Sequence, residues 1–349
     1  MRYVILFGSF FCYTNTRKIK RVIFMKVTIL GAGAYALGLA LRINENTKNI
    51  TIWSKVEEEI NSLVKTGMNK KALSNTKMPS NFIYTTDLNL AVKKSKIIVI
   101  AVATKFVRSV CEELSPLLKK NQHIVIASKG IEQKSCFFAS KIVREILNTK
   151  KLCTISGPSF AKDMAESEAV GLSLASTHRE TRKKVNKILA SKNLKIRNTK
   201  DFIGVELCGT MKNVIAVAAG ILDGLKVSES TKALFLTESL NDVRKLIKKF
   251  GGNEKTILSF AGFGDIILTC TSPSSRNYSF GKLIGENSSK VKINNYLKNN
   301  TVEGIYTLDS IYNLTKSKRI KYPFLDLIYK VVYGKLRPEE ILSFLIIKE

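Results

Sequence analysis

The chain reads as an α/β protein: a Rossmann-like, doubly wound sheet in the N-terminal half, followed by an all-α C-terminal domain. Three observations predict this. Short β-branched runs alternate with segments of helical period from Lys26 to about residue 200. A glycine turn, Gly31-Ala32-Gly33, separates the first such run from the first helix. Strand signals stop near Phe202, and long helical segments follow. Apolar strands alternating with helices are the pattern of a parallel sheet covered on both faces.

Taken in order, runs 27–30, 50–53, 97–102, 124–127 and 153–156 predict buried parallel strands, with further strands at 171–175 and 194–197. Helical period appears at 35–44, 105–118 and 135–147. Beyond Phe202 the predicted helices are 205–223, 230–250, 254–260, 306–315 and 323–333, punctuated by Gly251-Gly252 and Gly262-Phe263-Gly264. The expected organisation is an extension over 1–24, a dinucleotide-binding domain over 25–203 and a helical substrate domain over 204–349. In the extension, the cations Arg17, Lys18, Lys20 and Arg21 follow the apolar stretch 4–13, the reverse of a secretory signal. Met25 directly precedes the first strand, so residues 1–24 are expected to be disordered or an upstream mis-assigned start, with a weak surface anchor as the alternative.

A length of 349 residues allows two domains with real cores. The net charge of +29 admits nucleic acid or a membrane surface as partner. The lysines, however, are scattered in pairs such as Lys119-Lys120, Lys183-Lys184 and Lys248-Lys249, as on solvated helix faces. No nucleic-acid partner and no stable membrane insertion are expected. Apolar runs such as 97–102 and 214–222 fall short of a roughly 18-residue membrane span. The six cysteines show no C-x-x-C spacing and no close histidine. That argues against a zinc site or a disulfide framework and for reduced thiols in the cytoplasm.

Gly31-Ala32-Gly33-Ala34-Tyr35-Ala36 follows a strand and opens a helix, the context in which backbone amides and helix dipole hold a pyrophosphate. The second strand ends Trp53-Ser54-Lys55, with no carboxylate until Glu57. Lys55 there suits a 2′-phosphate, which tips the expectation slightly toward NADPH without excluding NAD.

His123 opens a strand and His178 lies in a polar stretch, so acid–base work falls to a lysine. Lys129 follows the 124–127 strand at the carboxyl edge, where ligands bind in open α/β sheets. Lys212 lies within an apolar helix, and desolvation there lowers an amine toward a useful pKa. Asp265, after the glycine turn, is placed to orient a lysine. Ser275, Arg276 and Asn277 set a hydroxyl, a guanidinium fork and an amide side by side, a grip for phosphate. Together these suggest hydride transfer to a small phosphorylated ketone.

These segments resemble the bacterial NAD(P)-dependent glycerol-3-phosphate dehydrogenase family from Met25 essentially to the C-terminus. The likeness runs through Gly31 to Ala36, Ser128-Lys129-Gly130, Ser156-Gly157-Pro158-Ser159-Phe160-Ala161 and Gly204-Val205-Glu206-Leu207 to Lys212-Asn213-Val214. It continues through Ala261 to Asp265, Ser275-Arg276-Asn277 and Val302-Glu303-Gly304. The resemblance implies that Lys212 is the catalytic acid–base. It implies a substrate site of Lys129, Gly157, Ser159, Lys212, Asp265, Ser275, Arg276 and Asn277. Cofactor contacts would come from Gly31, Gly33, Ala34, Tyr35, Ala36, Lys55, Lys129, Ala161, Arg276 and Glu303. It further implies a homodimer that reduces dihydroxyacetone phosphate to sn-glycerol 3-phosphate for phospholipid synthesis. The family usually has serine at Ala34 and arginine or histidine at Lys55. A reductase of another small keto acid, or a basic nucleic-acid-binding protein on a retired dehydrogenase scaffold, are the rival readings.

Overall fold

The structure is a computed structural model that describes residues 24–347. Expectations for the N-terminal extension therefore lie outside the described residues, apart from a fully exposed Phe24. The first half alternates β1 (Val27–Leu30), α1 (Ala34–Asn44), β2 (Ile50–Trp53), α2 (Glu57–Thr66), β3 (Ile83–Thr85), α3 (Leu88–Val92), β4 (Ile97–Ile100), α4 (Val107–Leu114), β5 (His123–Ile126) and α5 (Ala139–Leu147). It continues with β6 (Leu152–Ser156), α6 (Ala161–Ala165), β7 (Val170–Ala175), α7 (Arg179–Leu189) and β8 (Leu194–Thr199).

The strands form one eight-stranded sheet in the order β3-β2-β1-β4-β5-β6-β7-β8. Every neighbouring pair is parallel except β6 with β7. The β1, β2, β4 and β5 strands are buried along their full length because helices cover both faces. The hydroxyl of Thr28, inside β1, is satisfied by donating to the Ala91 carbonyl at 2.7 Å, whereas that of Thr51 in β2 has no partner. Strand order reverses between β1 and β4, which opens a crevice at their carboxyl ends. The fully buried Arg42 fastens α1 to the α6 segment through the carbonyls of Asp163 and Glu168.

Several elements differ from the sequence expectation. The strand expected over 97–102 ends at Ile100. The helix expected over 105–118 shortens to α4, flanked by 3-10 turns, and that over 135–147 starts only at Ala139. Edge strand β3 carries no buried residue, so it offered no apolar run to read.

The second half holds α8 (Phe202–Gly224), α9 (Glu229–Lys249), α10 (Asp265–Thr271), α11 (Arg276–Gly285), α12 (Lys290–Asn299), α13 (Glu303–Ser317), α14 (Pro323–Val332) and α15 (Glu340–Ile347). Asp201 caps α8 by accepting from the Gly204 amide at 3.0 Å, and its second oxygen takes the Thr256 hydroxyl at 2.6 Å. The 23 residues of α8 are apolar enough to cross a membrane, yet 94% of that apolar window is buried inside the protein. It is the central core helix. Close crossing by α11 depends on glycine: a Cβ on Gly281 would stand 1.9 Å from the Val217 carbonyl oxygen, and one on Gly220 1.9 Å from that of Tyr278. The helix expected over 254–260 is instead a 3-10 turn, Glu254–Leu258, followed by a π turn, Phe260–Gly264. Glycine at 262 permits this close backbone packing, since a Cβ there would lie 2.1 Å from the Ile257 carbonyl oxygen. The π turn delivers Asp265 as the first residue of α10, and such turns recur at functional sites.

Candidate active site

The glycine turn and the site lie at the carboxyl ends of the strands. Gly31 takes a φ of +123°, donates its amide to the Trp53 carbonyl at 2.7 Å, and lies so near strand β4 that a Cβ would meet the Ala101 oxygen at 2.8 Å. Asn69 braces the turn by donating to the Ala32 carbonyl at 3.0 Å. Gly33 is the N-cap of α1, with no side-chain cap on the helix and open space where a Cβ would stand. Uncapped amides facing an open cradle fit a dinucleotide pyrophosphate. Ala34, Tyr35 and Ala36 form the first turn of that helix. Ala161 opens α6, its carbonyl packed where Gly38 leaves room. Lys55, two residues past β2, is exposed and pairs with Glu113 of α4 at 2.7 Å.

Three charged groups converge next to this crevice. Asp265, 1% exposed, accepts Lys212 Nζ on Oδ1 and Lys129 Nζ on Oδ2, each at 2.8 Å. Lys212 is itself 9% exposed, and its Nζ also donates to Thr269 Oγ1 at 3.2 Å. The Thr269 hydroxyl donates to the Asp265 carbonyl at 2.6 Å, and Ser156 Oγ donates to Asp265 Oδ2 at 3.4 Å. Lys129 reaches across from the loop after β5, where Thr104 holds its carbonyl at 2.6 Å. One carboxylate thus joins a lysine of the sheet half to a lysine of the helical half.

Burial pulls the Lys212 ammonium below its ordinary value of 10.5, and the neighbouring Lys129 charge adds to that, while Asp265 opposes it. For Asp265, burial alone would favour the neutral acid. The two ammonium groups outweigh it, so the carboxyl stays below its ordinary range. Two cations and one anion leave a net positive charge in a nearly dry place, a setting that attracts an anionic substrate and stabilises a developing oxyanion.

Tyr35 OH donates to Ser159 Oγ at 3.3 Å, because the Ser159 hydroxyl itself donates to the Gly157 carbonyl at 2.9 Å. Burial pushes the Tyr35 phenol up to about 12, so it stays neutral. Its ring lies 5.4 Å from Lys129 Nζ. Thus Tyr35, Lys129, Gly157, Ser159, Lys212 and Asp265 stand together.

The Ser275-Arg276-Asn277 run is not a row of three side chains on one face. Ser275 caps α11, accepting from the Tyr278 amide at 3.3 Å. Asn277 is buried and cross-links helices: it donates to Asn213 Oδ1 at 3.0 Å and accepts from the Gly304 amide at 2.8 Å. Glu303, at the start of α13, accepts from Asn213 Nδ2 at 3.4 Å. Only Arg276 is exposed, with no hydrogen bond or ion pair on its guanidinium among the described residues. Helix propensity was weak in this polar stretch, so its capping role was invisible. Thr269 was missed for a related reason: its place one turn after Asp265 requires α10, which had not been anticipated.

The histidines sit elsewhere. His123 opens β5 at the opposite edge of the sheet, its ring held by Thr181 at 2.8 Å and pushed down to about 4, chiefly by burial. His178 caps α7. Among the described residues no His, Cys, Asp and Glu cluster could hold a metal, and the described cysteines are free.

Comparison with known proteins finds relatives along most of the chain. A family model described as the NAD-dependent glycerol-3-phosphate dehydrogenase N-terminus matches residues 26–182, and the corresponding C-terminus matches 201–343. A glycerol-3-phosphate dehydrogenase [NAD(P)+] of a Thermoanaerobacter species is 35% identical over 318 residues, covering 90% of this chain and 95% of the relative. The Bacillus subtilis protein of the same name is 33% identical over 319 residues, 90% and 92% of the two chains. Among solved structures, the glycerol-3-phosphate dehydrogenase of Coxiella burnetii superposes with a TM-score of 0.87 at 29% identity, over 93% of this chain and 99% of that one. The chain belongs to the NAD-dependent glycerol-3-phosphate dehydrogenase family, a family of oxidoreductases.

Proposed function

We propose that the protein interconverts dihydroxyacetone phosphate and sn-glycerol 3-phosphate with a nicotinamide dinucleotide, in the cytoplasm and as a homodimer, supplying phospholipid synthesis. The supporting observation is the buried bridge Lys212–Asp265–Lys129 beside an uncapped glycine turn. Gly31, Gly33 and the first turn of α1 would hold the dinucleotide, with Ala161, Arg276, Lys55 and Glu303 as further contacts, and when bound it would supply the hydride that reduces C2. Residues 25–203 form the dinucleotide domain and 204–349 the substrate domain.

In reduction, Lys212 as ammonium gives its proton to the oxygen on C2. Asp265 holds that ammonium in place, and Thr269 fixes its second hydrogen bond. Lys129 brings a second positive charge to the developing oxyanion. In oxidation, the neutral Lys212 amine takes the hydroxyl proton, and its lowered pKa makes that form accessible. The net positive charge and the exposed Arg276 at the N-terminus of α11 receive the phosphate, and Gly157, Ser159 and Asn277 shape the rest of the site. Binding energy on the phosphate then orients the reacting carbon.

The test is a spectrophotometric assay of the full chain with dihydroxyacetone phosphate and each reduced nicotinamide in turn. Oxidation of the cofactor with this substrate, and not with ketopantoate or a hydroxyisobutyrate-type keto acid, is the expected result. Turnover of a keto acid alone would replace this reading with the rival reductase.

A further inference from the structure

A lysine just past the second strand is ordinarily read as a receptor for a 2′-phosphate. The structure gives this one a competing partner. The Trp53 carbonyl that ends β2 accepts the Gly31 amide at 2.7 Å, so the chain leaving β2 starts beside the pyrophosphate turn. Lys55 is two residues further on, where the adenosine ribose lies in folds of this kind. Its ammonium is 2.7 Å from Glu113 Oε1, with the two side chains 73% and 40% exposed. Glu113 comes from α4, which follows β4 on the other side of the crevice. Carboxylates also dominate the near side: α2 begins Glu57-Glu58-Glu59, and Glu59 is held at the strand tip by the Ser54 hydroxyl at 2.5 Å.

We propose that Glu113, through its ion pair with Lys55, sets the cofactor preference of this protein toward the dinucleotide that lacks a 2′-phosphate. A ribose 2′-hydroxyl can accept from Lys55 and donate to Glu113 together, leaving the pair intact. A 2′-phosphate has to draw Lys55 away and then lie beside a released carboxylate. This reverses the slight lean toward NADPH that Lys55 alone suggested. It rests on the dinucleotide reading of the glycine turn.

The experiment measures dissociation constants of NADH and NADPH by nicotinamide fluorescence, with no substrate present, for the wild-type chain and for Glu113→Gln, Glu113→Lys and Lys55→Gln. These are surface positions outside the Lys212–Asp265–Lys129 bridge, so folding is not at stake. NADPH binding should tighten about fivefold in E113Q, the upper range for an exposed ion pair. It should tighten further in E113K and weaken in K55Q, with NADH shifting less than about twofold throughout. Equal shifts for both cofactors, or none in E113Q, overturn the role of Glu113. An unchanged NADPH affinity in K55Q overturns the placement of Lys55. If neither cofactor binds the wild type, the dinucleotide reading itself fails.

Discussion

Asp265 is the residue on which the two candidate catalytic lysines depend. Its carboxylate offsets the buried Lys212 ammonium and the half-buried Lys129 ammonium. Replacing it with asparagine leaves both amines with only neutral partners, a loss on the scale of about 3–5 kcal/mol for a broken buried pair. Asp265→Asn is expected to lower the melting temperature and to cut turnover by at least about a hundredfold. Its pH profile reports on the same pairing. Since Asp265 is the group that raises the Lys212 pKa against burial, the residual glycerol phosphate oxidation should reach its plateau at lower pH than in the wild type. A plateau at unchanged pH would show that Lys212 is not the titrating base. In the wild type, oxidation needs the neutral amine, so its rate should rise with pH and level off below 10.5, while reduction falls over the same window. Lys212→Ala is expected to remove about three orders of magnitude of turnover while dinucleotide fluorescence titrations stay unchanged. Wild-type rates would remove Lys212 from the mechanism.

At the level of elements, the site depends on how closely α11 crosses α8. Backbone meets backbone there, and Gly281 leaves no room for a methyl group beside Val217. Gly281→Ala should destabilise by about 2–3 kcal/mol through overpacking, read as a lower denaturation midpoint with unchanged slope. It should also weaken phosphate-ester substrates, since α11 carries Arg276 and Asn277. A mutant as stable as wild type would mean that the two helices can separate freely. Elements with uniform apolar runs (β1, β2, β5, α8) were legible because burial on all sides leaves a continuous signal. Those with a half-exposed surface were not. Edge strand β3 and helix α12 bury no residue, α11 buries asparagine and glycines with one phenylalanine, and the π turn before α10 uses a close approach that only glycine at 262 allows, which no pattern announces.

Across the whole molecule, a single apolar cluster runs from the β4–β5 face through α8 to α14 and α15, so the two halves share a core. Glu206 adds a polar tie between them. From α8 it accepts the Ser140 amide at 2.8 Å and the Ser140 hydroxyl at 2.5 Å, at the start of α5. Burial, partly offset by these bonds, raises its carboxyl from 4.5 to about 7. An acid whose folded pKa is raised keeps a proton that the unfolded chain has released. Its contribution to stability is therefore lost as pH rises from 4.5 to about 7. Glu206→Gln should escape that loss, so its melting temperature relative to wild type should climb between pH 5 and 8. A constant difference across that range would show that Glu206 does not titrate there.

By itself the sequence determined the alternation of strands and helices, the glycine turn with its cofactor, and the lysines and aspartate that carry charge in apolar surroundings. These follow from local chemistry, because periodicity, turn geometry and desolvation are written within a few residues. Only the tertiary structure decided that one carboxylate joins Lys129 to Lys212, far apart in the chain, that Ser275 and Asn277 brace helices, and that Lys55 is held by Glu113. Such pairings depend on which strand ends and helix termini the sheet order brings together. Contacts between distant segments leave no mark on the residues beside them.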